Sequence, residues 1–185
     1  ITLTGGTPAG TAVMRAAAPR IKRLLLELGG KSPNIVLGDA DVDAAIPAIC
    51  AGIFRNSGQR CFSGSRLIVE EGIANAVEDG VASLAERLVV GDPFDPRTQI
   101  GAMVDAIAIE QVESFVARAQ ADGLTLRAGG RRVAELAPGF FYRPTLLTGA
   151  RSDSWAAQTE VFGPVLTSIR VRDLEEAVAV ANATP

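Results

Sequence analysis

Histidine does not occur among the 185 residues. Its absence excludes, within this chain, any nucleophile paired with an imidazole base, any histidine-ligated metal and any histidine pH switch. Cysteine is nearly absent too, with only Cys50 and Cys61 present. Two thiols cannot build a four-thiolate zinc site, and a disulfide framework needs more, so no metal is expected and the setting reads as reducing and cytoplasmic. A basic excess is also lacking: 18 Lys and Arg stand against 21 Asp and Glu, a net charge of −3. Nothing here neutralises a phosphate backbone, so nucleic acid is not an expected partner. No apolar run reaches the roughly 18 residues of a membrane span, and no membrane association is expected. No signal peptide is visible, but the chain opens on Ile1 without an initiator Met. Ile1 to Thr4 reads as a strand already under way, and Ala183-Thr184-Pro185 follows directly on a helical pattern, so both ends are expected to be cuts in a longer protein.

What is present is ordinary globular composition, 48% hydrophobic and 21% charged. The length suits one large domain or two small ones, and a domain near this size buries roughly 70% of its unfolded surface. The opening reads strand (Ile1 to Thr4), glycine turn (Gly5-Gly6), then helix (Ala9 to Ala18) closed by Pro19. The apolar run Leu24 to Leu26 is broken at Gly29-Gly30, the sharpest compositional break in the chain. Further strands are predicted at 34–37, 65–70, 125–128, 141–147 and 165–171. Helices are predicted from an N-cap at Asp39 or Asp41, with the stripe Val42, Ile46, Ile49, Ile53 and a disturbance at Pro47, then at 74–88, 105–121 and after Asp173, with the stripe Leu174, Ala177, Val178, Ala181. Strands alternate with helices almost throughout, which predicts an α/β fold with a largely parallel sheet flanked by helices.

Cys61 is the one credible nucleophile, in the Gly- and Ser-rich run Asn56-Ser57-Gly58-Gln59-Arg60-Cys61-Phe62-Ser63-Gly64 between a helix and a strand. Reactivity needs a thiolate, and Arg60 and Arg66 are nearby cations in sequence. The competing reading is a plain buried cysteine. Cys50 lies on the helix stripe and reads as core. Glu27 stands amid leucines before Gly29-Gly30. Burial there would raise its carboxyl toward the range of a general base, and periodicity leaves open that Glu27 simply faces out of an alternating strand. Gly29 suits a close approach of backbone to a ligand, or a turn. In Glu160-Val161-Phe162-Gly163-Pro164 an acid and an aromatic ring project to one side of an extended segment, which suits a ribose diol and a flat heterocycle, although a plain strand entry fits as well. Gly5-Gly6-x-x-x-Gly10 is a weak phosphate-loop hint without the full dinucleotide fingerprint.

Together these runs resemble the aldehyde dehydrogenase superfamily. Leu26-Glu27-Leu28-Gly29-Gly30-Lys31-Ser32-Pro33-Asn34-Ile35-Val36 looks like its glutamate signature, and Phe54 to Arg66 like its cysteine signature, with 34 residues from Glu27 to Cys61. Val90-Gly91-Asp92-Pro93, Gly139 to Thr145 and Glu160 to Pro164 follow in the family's order. The resemblance implies oxidation of an aldehyde to a carboxylic acid with NAD or NADP. Cys61 would form a thiohemiacetal and then a thioester, and Glu27 would activate the hydrolytic water. Glu160 and Phe162 would hold the nicotinamide ribose and ring, with Gly5, Gly6 and Gly29 close to the cofactor. It further implies an aldehyde dehydrogenase catalytic-domain fold, a remnant of the nucleotide-binding domain over 1–29, an incomplete catalytic domain over 30–185, and assembly into homo-oligomers. Members usually have more than twice this length, and the upstream part carries most of the nucleotide site and one oxyanion donor. Gly6 stands where many members have Ser, and Arg60 occupies a variable position that shapes substrate choice. The alternatives are a non-catalytic, assembly-prone fragment and a cofactor-independent cysteine esterase.

Overall fold

The computed structural model describes residues 1–184, so Pro185, the last residue of the expected catalytic segment, lies outside the described residues. The chain falls into two units, Ile1–Gly30 and Lys31–Pro185.

In the first unit, β1 (Thr2–Gly5) runs into α1 (Thr7–Ala17), and the chain returns as β2 (Leu25–Leu28). The two strands pair in parallel, with Thr4 opposite Glu27 and Gly5 opposite Leu28. Pro8 sits in the first turn of α1, where its missing N–H is not needed. Pro19 ends the helix as expected: α1 gives way to one 3-10 turn over Ala18–Arg20.

The second unit runs β3 (Pro33–Val36), α2 (Val42–Phe54), β4 (Arg66–Glu70), α3 (Glu71–Arg87), α4 (Ala106–Ala121), β5 (Thr125–Ala128), β6 (Thr145–Thr148), α5 (Trp155–Gln158), β7 (Val165–Val171) and α6 (Leu174–Asn182). Its sheet has the order β3-β4-β7-β6-β5. Every pairing is parallel except β5 with β6. This is an α/β fold with a largely parallel sheet flanked by helices. Alternate residues of the central strands go to opposite faces, and both faces are apolar. Val36, Leu67, Val69, Leu146 and Leu166 pack with α2 and α3, and Cys50 is buried among them. Ile68, Leu147, Val165 and Ile169 pack on the other side with residues of α4, α5 and α6. Each such side chain contributes roughly 1.5–3 kcal/mol by leaving water.

Several expectations are corrected. The strand predicted at 141–147 begins only at Thr145, because Pro144 has no N–H to give a ladder; ahead of it Tyr142 makes a lone bridge to Arg132. On α6, Leu174 and Val178 are exposed, and the buried positions are Ala177 and Val180. The helix α2 continues through Pro47, which leaves the carbonyl of Asp43 without its helical donor.

Candidate active site

The loop that carries Cys61 begins where α2 ends. Asp41 caps the start of α2 by accepting from the Ala44 N–H. After Arg55 the backbone turns left-handed for three residues: Asn56 at φ 54°, Ser57 at φ 53° and Gly58 at φ 69°. For residues with a Cβ this region costs about 1–2 kcal/mol each, so the turn persists only because its surroundings hold it. The Asn56 side-chain amide donates to the Gln59 carbonyl at 3.0 Å, and the Gln59 N–H returns to the Asn56 carbonyl at 3.0 Å. Ser57 is buried, and its hydroxyl donates to the Gly101 carbonyl at 2.8 Å. Gln59 Oε1 accepts from the Val104 N–H at 3.1 Å. Beyond the cysteine, the Gly64 N–H donates to Gly52, and the Asn34 side-chain amide donates to Gly64 at 2.8 Å. The loop is thus fastened on both sides of an exposed, free thiol. The backbone N–H of Cys61 donates to no other group among the described residues.

The two arginines near Cys61 in sequence do not serve it. Arg60 Nη2 donates to the carbonyls of Gly52 and Ala51 at 2.8 and 3.2 Å, at the last turn of α2, and the guanidinium lies 4.9 Å from the Phe62 ring centre. Arg66 is buried and donates to the carbonyls of Lys31, Val180 and Ala181. It ties the end of α6 to the start of β3. Both cations complete helix C-termini, where carbonyls lack partners.

Glu160 and Phe162 lie in the segment that enters β7, and both are exposed. Phe162 is left-handed at φ 51°. Glu160 shares an open cavity of about 680 Å³ with Phe115, Gln111, Arg118 and Trp155. The Phe115 and Trp155 rings lie 4.8 Å apart, tilted by 38°, and the Arg118 guanidinium lies over the Trp155 ring at 3.9 Å. Behind Phe115 lies Lys31, 6% exposed, with its ammonium 5.1 Å from the ring centre and no hydrogen-bond partner among the described residues. Burial first, and repulsion from Arg66 second, push Lys31 down to about 7, against the attraction of Glu160.

Strand order puts these groups at the same edge of the sheet. Lys31, Cys61 and Glu160 precede β3, β4 and β7, three parallel neighbours, so all three lie at the amino ends of adjacent strands. In the first unit Gly5 and Gly29 lie at the carboxyl ends of β1 and β2, and Gly6 caps α1 with no side-chain bond to its first turn. Glu27 is exposed there, as in the outward-facing alternative. Lys31, Gly58 and Trp155 carry weight in the site and were not singled out in the sequence. Of these only Gly58 left a signal, since Asn-Ser-Gly is a run that tolerates left-handed backbone.

The model of the aldehyde dehydrogenase family matches residues 1–185, and the chain belongs to that family. A betaine aldehyde dehydrogenase of Cereibacter sphaeroides (strain ATCC 17025 / ATH 2.4.3) is 40% identical over 184 residues, which cover 100% of this chain and 38% of that protein. Among solved structures, an NAD-dependent aldehyde dehydrogenase from Sinorhizobium meliloti is 43% identical with a TM-score of 0.95, over 99% of this chain and 36% of that one. Betaine aldehyde dehydrogenase from Staphylococcus aureus in complex with NAD+ is 34% identical with a TM-score of 0.96, over 99% and 37%. The chain therefore spans little more than a third of the length of these relatives.

Proposed function

We propose that the protein carrying this chain oxidises a small-molecule aldehyde to a carboxylic acid with NAD+ or NADP+, and that Cys61 is its nucleophile. The observation that carries the reading is an exposed thiol on a fastened, strained loop whose neighbouring strand brings in Glu160 and Phe162. Residues 1–29 are a remnant of the nucleotide-binding domain and 30–185 belong to the catalytic domain. The reading carries with it a cytoplasmic setting and assembly into homo-oligomers.

The residues present fit a dinucleotide. An exposed carboxylate beside aromatic rings, in a cavity of about 680 Å³, suits a ribose diol and a flat ring. The uncapped start of α1 at Gly6 suits phosphate. When bound, the nicotinamide accepts the hydride that leaves the aldehyde carbon. Cys61, as thiolate, adds to the carbonyl carbon, and its own N–H, free of other partners among the described residues, stabilises the oxyanion. Loss of hydride leaves an acyl group on the sulfur. Glu27 takes a proton from the water that attacks this thioester, the C–S bond breaks, and acid and thiolate are released. Glu160 and Phe162 hold the ribose and nicotinamide, with Gly5, Gly6 and Gly29 allowing close approach of the cofactor.

The test is aldehyde-dependent formation of reduced nicotinamide by the intact protein. Cys61→Ala must abolish it, and Glu27→Gln must keep the first-turnover burst while slowing steady state about 100-fold or more. Full turnover by Cys61→Ala refutes the proposal.

A further inference from the structure

Two left-handed segments, 105 residues apart in sequence, meet backbone to backbone. One is the Asn56-Ser57-Gly58 turn ahead of Cys61. The other is Phe162, left-handed at φ 51°, followed by Gly163 and preceded by Glu160 two residues before. Gly58, at φ 69°, faces the Gly163 carbonyl so closely that a Cβ there would overlap that group and the Pro164 nitrogen. Gly163 is itself seated on α4, where a Cβ would overlap a methyl of Val112. The Gly163 carbonyl accepts from the Val165 N–H at 2.8 Å, which fixes it to the first residue of β7. On the nucleophile side, the Gly58 carbonyl accepts from the Ser63 hydroxyl at 3.3 Å, which closes the loop over Cys61. A continuous path thus runs from α4 and β7 through Gly163 and Gly58 to both flanks of the thiol.

We infer that Gly58 is a positioning residue, whose seat on the Gly163 backbone sets the Cys61 loop and the Glu160–Phe162 segment as one body. The functional meaning rests on the roles proposed above for Cys61 and Glu160; the contact does not. Three observations support it. The thiol has no hydrogen bond of its own among the described residues, so only backbone fixes it. Asn56, Ser57 and Phe162 occupy strained backbone that an unbraced loop would abandon. The two segments enter β4 and β7, which are paired, so the sheet gives the contact a rigid base.

The test perturbs the far side of the contact. In the 185-residue chain, Gly163→Ala pushes the Gly163 backbone off Val112 and disturbs its seat under Gly58. Amide hydrogen exchange and the rate of Cys61 alkylation by iodoacetamide, followed across pH by peptide mass spectrometry, report the loop. Exchange at Gln59 and Ser63 is expected to rise about 10-fold or more and the alkylation rate to change about 3-fold or more, while exchange in mid-α2 stays within about 2-fold. Adding Val112→Ala makes room for the new methyl and returns both readouts toward wild type; Val112→Ala alone leaves the loop unchanged. A folded Gly163→Ala chain with an unaltered loop overturns the inference. If that variant does not fold, the unmodified chain decides: Gln59, Ser63 and Val165 must open with one common denaturant dependence, and independent opening overturns it. Neither readout uses aldehyde oxidation, so an intact protein that retains activity without Cys61 would remove the catalytic reading and leave the mechanical one standing.

Discussion

Lys31 makes the stability of the second unit depend on pH in an alkaline window, well above the range in which acid-labile ion pairs titrate. Its ammonium is buried, without a hydrogen-bond partner among the described residues, and pushed from 10.5 down to about 7. Between those values the unfolded chain holds a proton that the folded chain has released, so stability rises with pH through this window and has no slope below it. Each unit is worth up to about 1.4 kcal/mol, which gives about 2 kcal/mol between pH 7.5 and 9. The buried Cys50 thiol opposes this: burial pushes it from 9.0 up to about 11, against Arg87, so the unfolded thiol ionises first and stability falls above pH 9. Burial also pushes the Tyr142 phenol up, which adds to the loss at higher pH. The sum is a net rise of about 1.5 kcal/mol up to pH 9, a short plateau, and a fall above roughly pH 10. Urea unfolding at a series of pH values measures it, with the lone tryptophan, Trp155, as reporter beside Phe115. Lys31→Met should remove the rise. Parallel pH profiles for the wild-type chain and Lys31→Met over pH 7.5 to 9 would refute the reasoning.

Under native conditions at pH 8, iodoacetamide should label Cys61 and leave Cys50, which is buried with its thiol pushed up, unmodified; equal labelling of both in peptide maps would contradict the burial of Cys50. Glu78 is fully buried and accepts from Ser168 and Arg170, so Glu78→Ala should cost about 1–3 kcal/mol in denaturant midpoint analysis, because it leaves the buried Ser168 hydroxyl without its acceptor, while Arg170 keeps Glu71 and Asn75. Asp41, Asp105 and Asp173 each accept the N–H three residues on, and replacing any one by Ala should cost about 1 kcal/mol, additively for the distant pairs.

The central strands could be read from their β-branched runs because they are buried on both faces, which leaves little room for polar residues to blur the signal. The errors have local physical causes. Pro144 removed a ladder donor from a run that looked continuous, and α6 buries Val180 while exposing Val178, a rotation that depends on where Arg66 holds the end of the helix. Cys61 and Glu160 stood out as residue types in unusual company. The contact of Gly58 with Gly163 did not, since no local pattern links residues 105 positions apart. Lys31 was hidden for a different reason: lysine is almost never fully buried, so a sequence offers no ground for placing one under a phenylalanine ring.

The placement of the site residues also separates two kinds of strand end. In open α/β sheets ligands usually bind beyond the carboxyl ends of strands, where chains leave the sheet into helix N-termini. Gly5, Gly6 and Gly29 follow that pattern at β1 and β2. Cys61 and Glu160 do not: they precede β4 and β7. A thiol at an amino end has no helix N-terminus behind it to favour a thiolate, and with no histidine in the chain there is no imidazole base either. What the amino ends offer instead is register. Arg66 to Glu70 pair residue by residue with Thr167 to Val171, so the loops entering the two strands start from fixed, adjacent positions. A one-residue slip would turn every core side chain of β4 to the wrong face. The core that enforces this pairing therefore also enforces the spacing between Cys61 and the Glu160 segment, and mutations in Leu67 or Leu166 should reach the thiol through the sheet.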